Sequence, residues 1–176
     1  MSSPSPRIRA ASPKDAAPLG RLAASLVTLP LLARYGTTAT GLHTDLLRLL
    51  PEPHGATPDE RLLVAERPDP DDGAAATGPE LCGLARFSLR GQLGRGGYLR
   101  LIALVPGQHG QGLGSLLLAE VERQVAVSSS ELFLLTSDFN TAAQRFYERH
   151  GYARVGQLAD YVRPGITELL YWKRVR

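Results

Sequence analysis

Apolar residues recur along this chain at two spacings, and their alternation predicts the order of its elements. Short apolar runs bounded by glycine, proline or serine predict buried strands at 7–11, 62–65, 81–89, 99–105, 131–136, 152–158 and 167–172. A spacing of three and four residues predicts amphipathic helices instead. The predicted helices run from Ser12 to near Pro30, over 42–50, from the glycine-rich stretch near Gly114, and over 140–150.

This order predicts an α/β fold. About seven strands form a mixed sheet, and about four helices cover both of its sides. We expect one domain over residues 7–176, preceded by a disordered Ser/Pro tail at 1–6. Residues 31–41 are predicted to be a connector, and the Pro/Gly-rich stretch 67–79 a mobile loop.

Composition narrows the function classes. The chain has 176 residues, 43% of them hydrophobic and 21% charged, which is typical of one soluble globular domain. No apolar run approaches the roughly 20 residues that cross a bilayer, and the first residues lack a hydrophobic signal region, so we expect a cytoplasmic protein. The net charge of +3 is small and its basic residues are scattered, so neither nucleic acid nor a membrane is an expected partner.

Cys82 is the only cysteine, which excludes an internal disulfide and a cysteine metal cluster. A lone thiol inside an apolar strand is expected to be a core residue. We expect no metal ion, and either a monomer or a homodimer.

The stretch after Val105 is the main candidate for chemistry. Pro106 and Gly107 end a predicted strand, and Gly110, Gly112 and Gly114 lead into a helix. The first turn of a helix has N–H groups without intrahelical partners, and glycines let a phosphate approach the backbone. The sequence therefore predicts a phosphorylated ligand on the amides of residues 109–115.

Two well-known phosphate loops do not fit this stretch. A P-loop needs Gly-Lys-Ser/Thr at the helix start, where this chain has Gly114, Ser115 and Leu116. A dinucleotide fingerprint needs G-x-G-x-x-G, whereas the glycines here follow G-x-G-x-G.

A second motif lies further along, where residues 140–152 read N-T-A-A-Q-R-F-Y-E-R-H-G-Y. Together the two motifs resemble those of the GNAT acetyltransferase superfamily. Its acyl-CoA diphosphate loop is written Q/R-x-x-G-x-G/A, and its later motif N-x-x-A-x-x-F-Y-x-x-x-G-F/Y. In this chain His109 stands where the loop pattern has Gln or Arg.

The resemblance implies an acetyl-CoA-dependent N-acetyltransferase, with acetyl-CoA and an amine as its partners. It implies a sheet in which the strand before the loop and the next strand splay apart, and the pantetheine arm of acetyl-CoA pairs with backbone there. The implied acetyl-CoA residues are Leu104, Val105, His109, Gly110, Gln111, Gly112, Leu113, Gly114, Ser115, Asn140, Ala143 and Tyr147.

Spacing places Asn140, Ala143 and Tyr147 on one helix face, with Asn140 available for an amide hydrogen bond and Ala143 allowing close approach. Tyr147 is the candidate general acid, because a phenol with a pKa of about 10 can donate to a thiolate without ionising at neutral pH. The alternative is that Tyr147 is a packing aromatic.

The general base stays unassigned. Many superfamily members have a glutamate on the strand before the loop, where this chain has Arg100. Two interpretations of Arg100 stay open: binding of an acceptor carboxylate, or pairing with an acid elsewhere on the sheet. Tyr35 and Tyr161 are further candidate acceptor contacts. A rival function is a catalytically silent acyl-CoA sensor on the same fold.

Overall fold

The computed structural model describes residues 6–51, 59–67, 80–91 and 96–176. Most of the predicted N-terminal tail, and the predicted mobile loop after Arg67, lie outside these residues.

Seven strands form one mixed sheet in the order β1-β2-β3-β4-β5-β7-β6. They are β1 (Arg7–Ala10), β2 (Glu60–Arg67), β3 (Glu80–Ser88), β4 (Gly97–Leu104), β5 (Glu131–Ser137), β6 (Ala153–Ala159) and β7 (Thr167–Arg174). Strand β1 pairs antiparallel with β2, and β5 and β6 each pair antiparallel with β7. The ladder between β4 and β5 is parallel and joins Gly97–Leu99 to Leu132–Leu134. The predicted α/β fold with a seven-stranded mixed sheet is confirmed.

The described residues form five α-helices where four were predicted. They are α1 (Ala16–Leu26), α2 (Pro30–Arg34), α3 (Ala39–Leu47), α4 (Leu113–Ser128) and α5 (Thr141–Arg149), and one 3-10 turn at Pro13–Asp15 precedes α1. Helix α2 lies where a connector was predicted, so that prediction is wrong. Pro30 starts the helix because its fixed φ suits a first helical position, and buried Leu32 anchors it.

The chain divides into two compact units, the first comprising Met1–Arg86 and Leu101–Leu118. Its core is a cluster of aliphatic side chains from α1, α3 and the strands. Among the described residues of this unit, Asp15 is the one buried charged side chain, and it accepts two hydrogen bonds from Arg9, at 2.7 and 2.8 Å. Burial works against the charge of Asp15, but the bonds from Arg9 and Ser12 outweigh it and hold its pKa below the usual value.

The second unit comprises Phe87–Arg100 and Ala119–Arg176. Alternate residues of β5, Leu132, Leu134 and Thr136, are buried, as expected for a strand with one core face. Tyr171 on β7 pairs with Leu134 and is 1% exposed. That a single domain spans 7–176 stays a prediction.

Candidate active site

The turn between β4 and α4 is built on left-handed glycines. Gly107, Gly110 and Gly112 have φ angles of 84°, 79° and 78°. A side chain is strained in this conformation, so the sequence needs glycine at all three positions. A Cβ added at any of them would meet no atom within 4 Å, so this face of the turn is open.

Gly112 marks the start of α4. Its carbonyl accepts the first helical hydrogen bond, from the N–H of Leu116 at 3.0 Å. The amides of Leu113, Gly114 and Ser115 therefore precede the first intrahelical bond, at the end of the helix that carries partial positive charge. Gly114 belongs to this first helical turn and not to the left-handed turn before it. This geometry fits an anionic group.

Side chains hold the turn from within. The Gln111 side-chain amide donates to the Gly107 carbonyl at 3.2 Å. The Arg67 guanidinium, on β2, donates to the Gln108 side-chain oxygen at 2.7 Å. His109 is exposed. Arg67 could not be predicted for this turn from the sequence, because 41 positions separate it from Gln108 and no local pattern links them.

The last residues of β4 differ in what their backbone groups can reach. Val105 donates its N–H to the Cys82 carbonyl of β3 at 3.0 Å, and its own carbonyl accepts from the Gln108 amide at 3.2 Å. Successive backbone N–H groups of a strand point to opposite edges, so the N–H and C=O of Leu104 point away from β3. The resemblance implied Leu104 and Val105 for pairing with the pantetheine arm. Of these two residues, Leu104 is the one whose backbone N–H and C=O are not directed at β3.

Helix α5 carries its own start signal. Asn140 lies at its N-cap, and its side-chain oxygen accepts from the Ala143 amide at 3.3 Å. The side-chain oxygen of Asn140 is therefore engaged in the cap. Its side-chain NH₂ group is the part suited to donate a hydrogen bond to a ligand carbonyl.

Helix α5 also carries its own stop signal, and Tyr147 is part of it. Gly151 has a φ of 82°, and its N–H donates to the Glu148 carbonyl at 3.0 Å, while the Tyr152 N–H donates to the Tyr147 carbonyl at 3.1 Å. Such paired bonds close a helix on a left-handed glycine, and a contact between the two outer side chains accompanies them. Here that contact is the edge-on packing of Tyr147 against Tyr152, whose ring centroids lie 5.6 Å apart.

Tyr152 is anchored in turn. Its hydroxyl donates to Glu122 on α4 at 3.0 Å, and Lys173 on β7 binds both oxygens of that carboxylate at 2.8 Å. The position of the Tyr147 ring is thus set by its own helix and by a buttress from two other elements.

Tyr147 is 6% exposed, and burial raises the pKa of its phenol well above the usual value of 10, with a smaller contribution from Tyr98. The phenol therefore stays protonated at neutral pH and can only donate a proton there.

Tyr98 on β4 is a further residue of this region that no sequence motif indicated. Burial raises its pKa; Arg100 opposes this shift, whereas Tyr161 and Glu168 add to it. The Arg100 guanidinium lies 5.4 Å from the centre of the Tyr98 ring. Two of the three candidate acceptor residues, Arg100 and Tyr161, thus lie near Tyr98. For Arg100 this could be expected from the sequence, because residues two apart on a strand share one face.

Two further residues from the sequence predictions, Tyr35 and Cys82, lie in the first unit. Tyr35, the third candidate acceptor residue, is half-buried at the end of α2, in the first unit. Cys82 is 2% exposed and its thiol donates to the Ala65 carbonyl at 3.3 Å, which agrees with a core role.

Among the residues that the structure describes, no three His, Cys, Asp or Glu side chains are grouped to hold a metal ion. No helix in the described ranges is long and apolar enough to span a membrane.

The sequence matches a family model, and the fold matches solved structures. The model of the acetyltransferase (GNAT) family matches residues 40–152, which is more than half of the chain. The chain belongs to the GNAT acetyltransferase family. The match includes both the glycine turn and helix α5, so the resemblance stated from the motifs is confirmed. No match was found among curated proteins.

Solved structures show the same GNAT fold. A GNAT-family protein from Desulfovibrio desulfuricans superposes with a TM-score of 0.70 at 23% identity, over 98% of this chain and 100% of that one. Aminoglycoside 6'-acetyltransferase type Ii gives a TM-score of 0.68 at 18% identity, over 97% of each chain. A Bacillus anthracis acetyltransferase solved in complex with acetyl coenzyme A gives 0.55 at 16% identity, over 67% of this chain and 64% of that one. These likenesses show that the chain has the GNAT fold.

Proposed function

We propose that this protein transfers an acetyl group from acetyl-CoA directly to a primary amine of a small molecule or a protein. The amine nitrogen attacks the thioester carbonyl carbon, so a C–N bond forms and the C–S bond breaks. The nitrogen gives up a proton to water, the departing thiolate takes one from the hydroxyl of Tyr147, and Tyr147 regains its proton from water before the next turnover.

Acetyl-CoA binding is assigned to backbone groups. The diphosphate lies on the amides from His109 to Ser115, where open left-handed glycines precede the positive end of α4. The pantetheine arm pairs with the backbone at Leu104 and Val105, and its amides meet the side chain of Asn140 and the small side chain of Ala143. Holding the thioester against the amine supplies part of the rate by positioning alone.

The observation that carries this mechanism is the environment of Tyr147. The phenol is buried, and both its helix cap and the ring of Tyr152 hold it in place. A thiolate, whose conjugate acid has a pKa of about 8.5, is protonated on leaving by a donor that is still neutral.

The acceptor is bound in this proposal by Arg100, Tyr161 and Tyr35. Arg100 is exposed on β4 and favours an amine that also carries a carboxylate. Asp138, acting through water, is one candidate for the base, and an acceptor of low pKa would need none. The cytoplasm stays the expected compartment, and either a monomer or a homodimer the expected assembly.

Substitution Tyr147→Phe tests the proposal. It removes the hydroxyl and keeps the ring, so we expect kcat with an amine panel to fall by roughly 100-fold or more, while calorimetry shows nearly unchanged acetyl-CoA affinity. Tyr171→Phe is the matched control, since it removes a hydroxyl bonded to Glu148 from the same aromatic cluster. Wild-type kcat in Tyr147→Phe would refute the acid role. Acetyl-CoA binding without thiol release for any amine would favour the silent sensor.

A further inference from the structure

Arg67 reaches from the end of β2 to the glycine turn after β4. Strands β2 and β4 are separated by β3, so the two chain segments are roughly 10 Å apart. Only a long side chain spans that distance, and the Arg67 guanidinium does so with a 2.7 Å hydrogen bond to the side-chain oxygen of Gln108.

This contact closes a ring of hydrogen bonds around the base of the turn. The Gln108 amide donates to the Val105 carbonyl at 3.2 Å, and the Val105 amide donates to the Cys82 carbonyl at 3.0 Å. The Cys82 thiol donates to the carbonyl of Ala65 at 3.3 Å, two residues before Arg67. Gln108 is therefore held by a backbone bond on one side and by a cation on the other.

The same contact brings positive charge to the turn. The guanidinium is bonded to the side chain of Gln108, which directly precedes the residues 109–115 whose amides are assigned to the diphosphate. Charges act on one another over about one Debye length, about 8–10 Å at moderate salt. The loop pattern of the family has Gln or Arg where this chain has His109, which is exposed. Arg67 is a fixed cation beside the turn.

We propose that Arg67 is a positioning residue for the diphosphate turn: it holds Gln108 and adds the positive charge that favours the diphosphate of a coenzyme A thioester. This inference rests on the proposed placement of the diphosphate on residues 109–115. It adds to that placement a side chain on another strand.

The test compares acetyl-CoA affinity of the full chain by calorimetry for wild type, Arg67→Gln, Gln108→Ala and the double variant. A unit charge at about 8–10 Å from two phosphate charges predicts a loss of about fivefold to tenfold in affinity for Arg67→Gln at low salt. Gln108→Ala keeps the charge and loses the contact, so about a twofold to threefold loss is expected. The double variant should match Arg67→Gln, because both changes break one contact. Arg48→Gln, at an exposed cation just after the end of α3, is the control and should bind like wild type.

Salt separates charge from mere fold support. Between about 50 mM and 300 mM salt, the wild-type affinity should fall more steeply than that of Arg67→Gln, because screening removes what the substitution has removed already. Arg67→Gln with wild-type affinity and an unchanged salt dependence would overturn the inference, as would additive losses in the double variant. If Arg67→Gln is unfolded, Arg67→Lys and Gln108→Ala decide, and wild-type affinity in both overturns it. A wild-type protein that binds no acetyl-CoA would refute the proposed function itself.

Discussion

Substitution Gly112→Ala probes the residue at which the glycine turn becomes helix α4. Gly112 has a φ of 78°, and an added Cβ meets no atom within 4 Å, so the cost to the folded protein is backbone strain alone. An L-residue in this conformation costs about 1–2 kcal/mol. We therefore expect the free energy of unfolding to fall by that amount, and Tm to fall by about 2–4 °C per kcal/mol in a chain of this size.

The same methyl group has a second effect if the diphosphate binds here. It occupies the open side of the turn, next to the first amides of α4, and displaces a phosphate oxygen from at least one of them. A hydrogen bond to a charged group contributes about 1.5–3 kcal/mol, which corresponds to a loss of about tenfold to 100-fold in affinity for acetyl-CoA.

Substitution Gly165→Ala separates the two effects. Gly165 also has a φ of 78° with no atom within 4 Å of an added Cβ, but it lies between β6 and β7. Thermal unfolding should show similar losses in both variants, and calorimetry with acetyl-CoA should show weaker binding only for Gly112→Ala. An acetyl-CoA affinity within about twofold of wild type in Gly112→Ala would refute the reasoning. Equal losses of acetyl-CoA affinity in the two variants would also refute it.

Two further predictions concern stability. Burial raises the pKa of Tyr147 and Tyr152, so above pH 10 the unfolded chain releases protons that the folded chain keeps, and the free energy of unfolding falls by up to about 1.4 kcal/mol per pH unit for each tyrosine; denaturant titrations at rising pH measure this, and a flat profile above pH 10 would contradict it. Substitution Asp15→Asn breaks a buried carboxylate's bonds to Arg9, which is 23% exposed and keeps some water, so we expect a loss of roughly 2–3 kcal/mol by chemical unfolding, against almost none for the exposed control Asp45→Asn. Equal losses in these two variants would contradict the burial argument.

Local patterns predicted most of the fold and the glycine turn of the candidate site. Left-handed glycines, proline at a first helical turn and apolar periodicity each act within a few residues of the feature they cause, so the turn at Gly112 and the end of α5 at Gly151 could be expected from the sequence. Helix α2 was not predicted because one turn of helix is too short to show a hydrophobic period. Packing of the buried Leu32 side chain stabilises this short helix.

What the sequence could not predict depends on pairing between distant segments. Arg67 and Gln108 are 41 positions apart, and the strand order alone brings them together. Tyr98 is an ordinary strand residue in the sequence, and its neighbours Tyr161 and Glu168 come from the other end of the chain. The role of Asn140 as a cap could be predicted from its position just before the helix, since Asn is a preferred N-cap residue.

The start and stop signals of α5 have a consequence for redesign. Asn140 and Gly151 bracket Tyr147 within one continuous segment, and its contacts beyond that segment include the ring of Tyr171 and, through Tyr152, the side chains of Glu122 and Lys173. An engineer can therefore treat residues 140–152 as a cassette. Loops that recognise a new acceptor can be grafted onto other parts of the chain while Tyr147, the proposed proton donor, keeps its place.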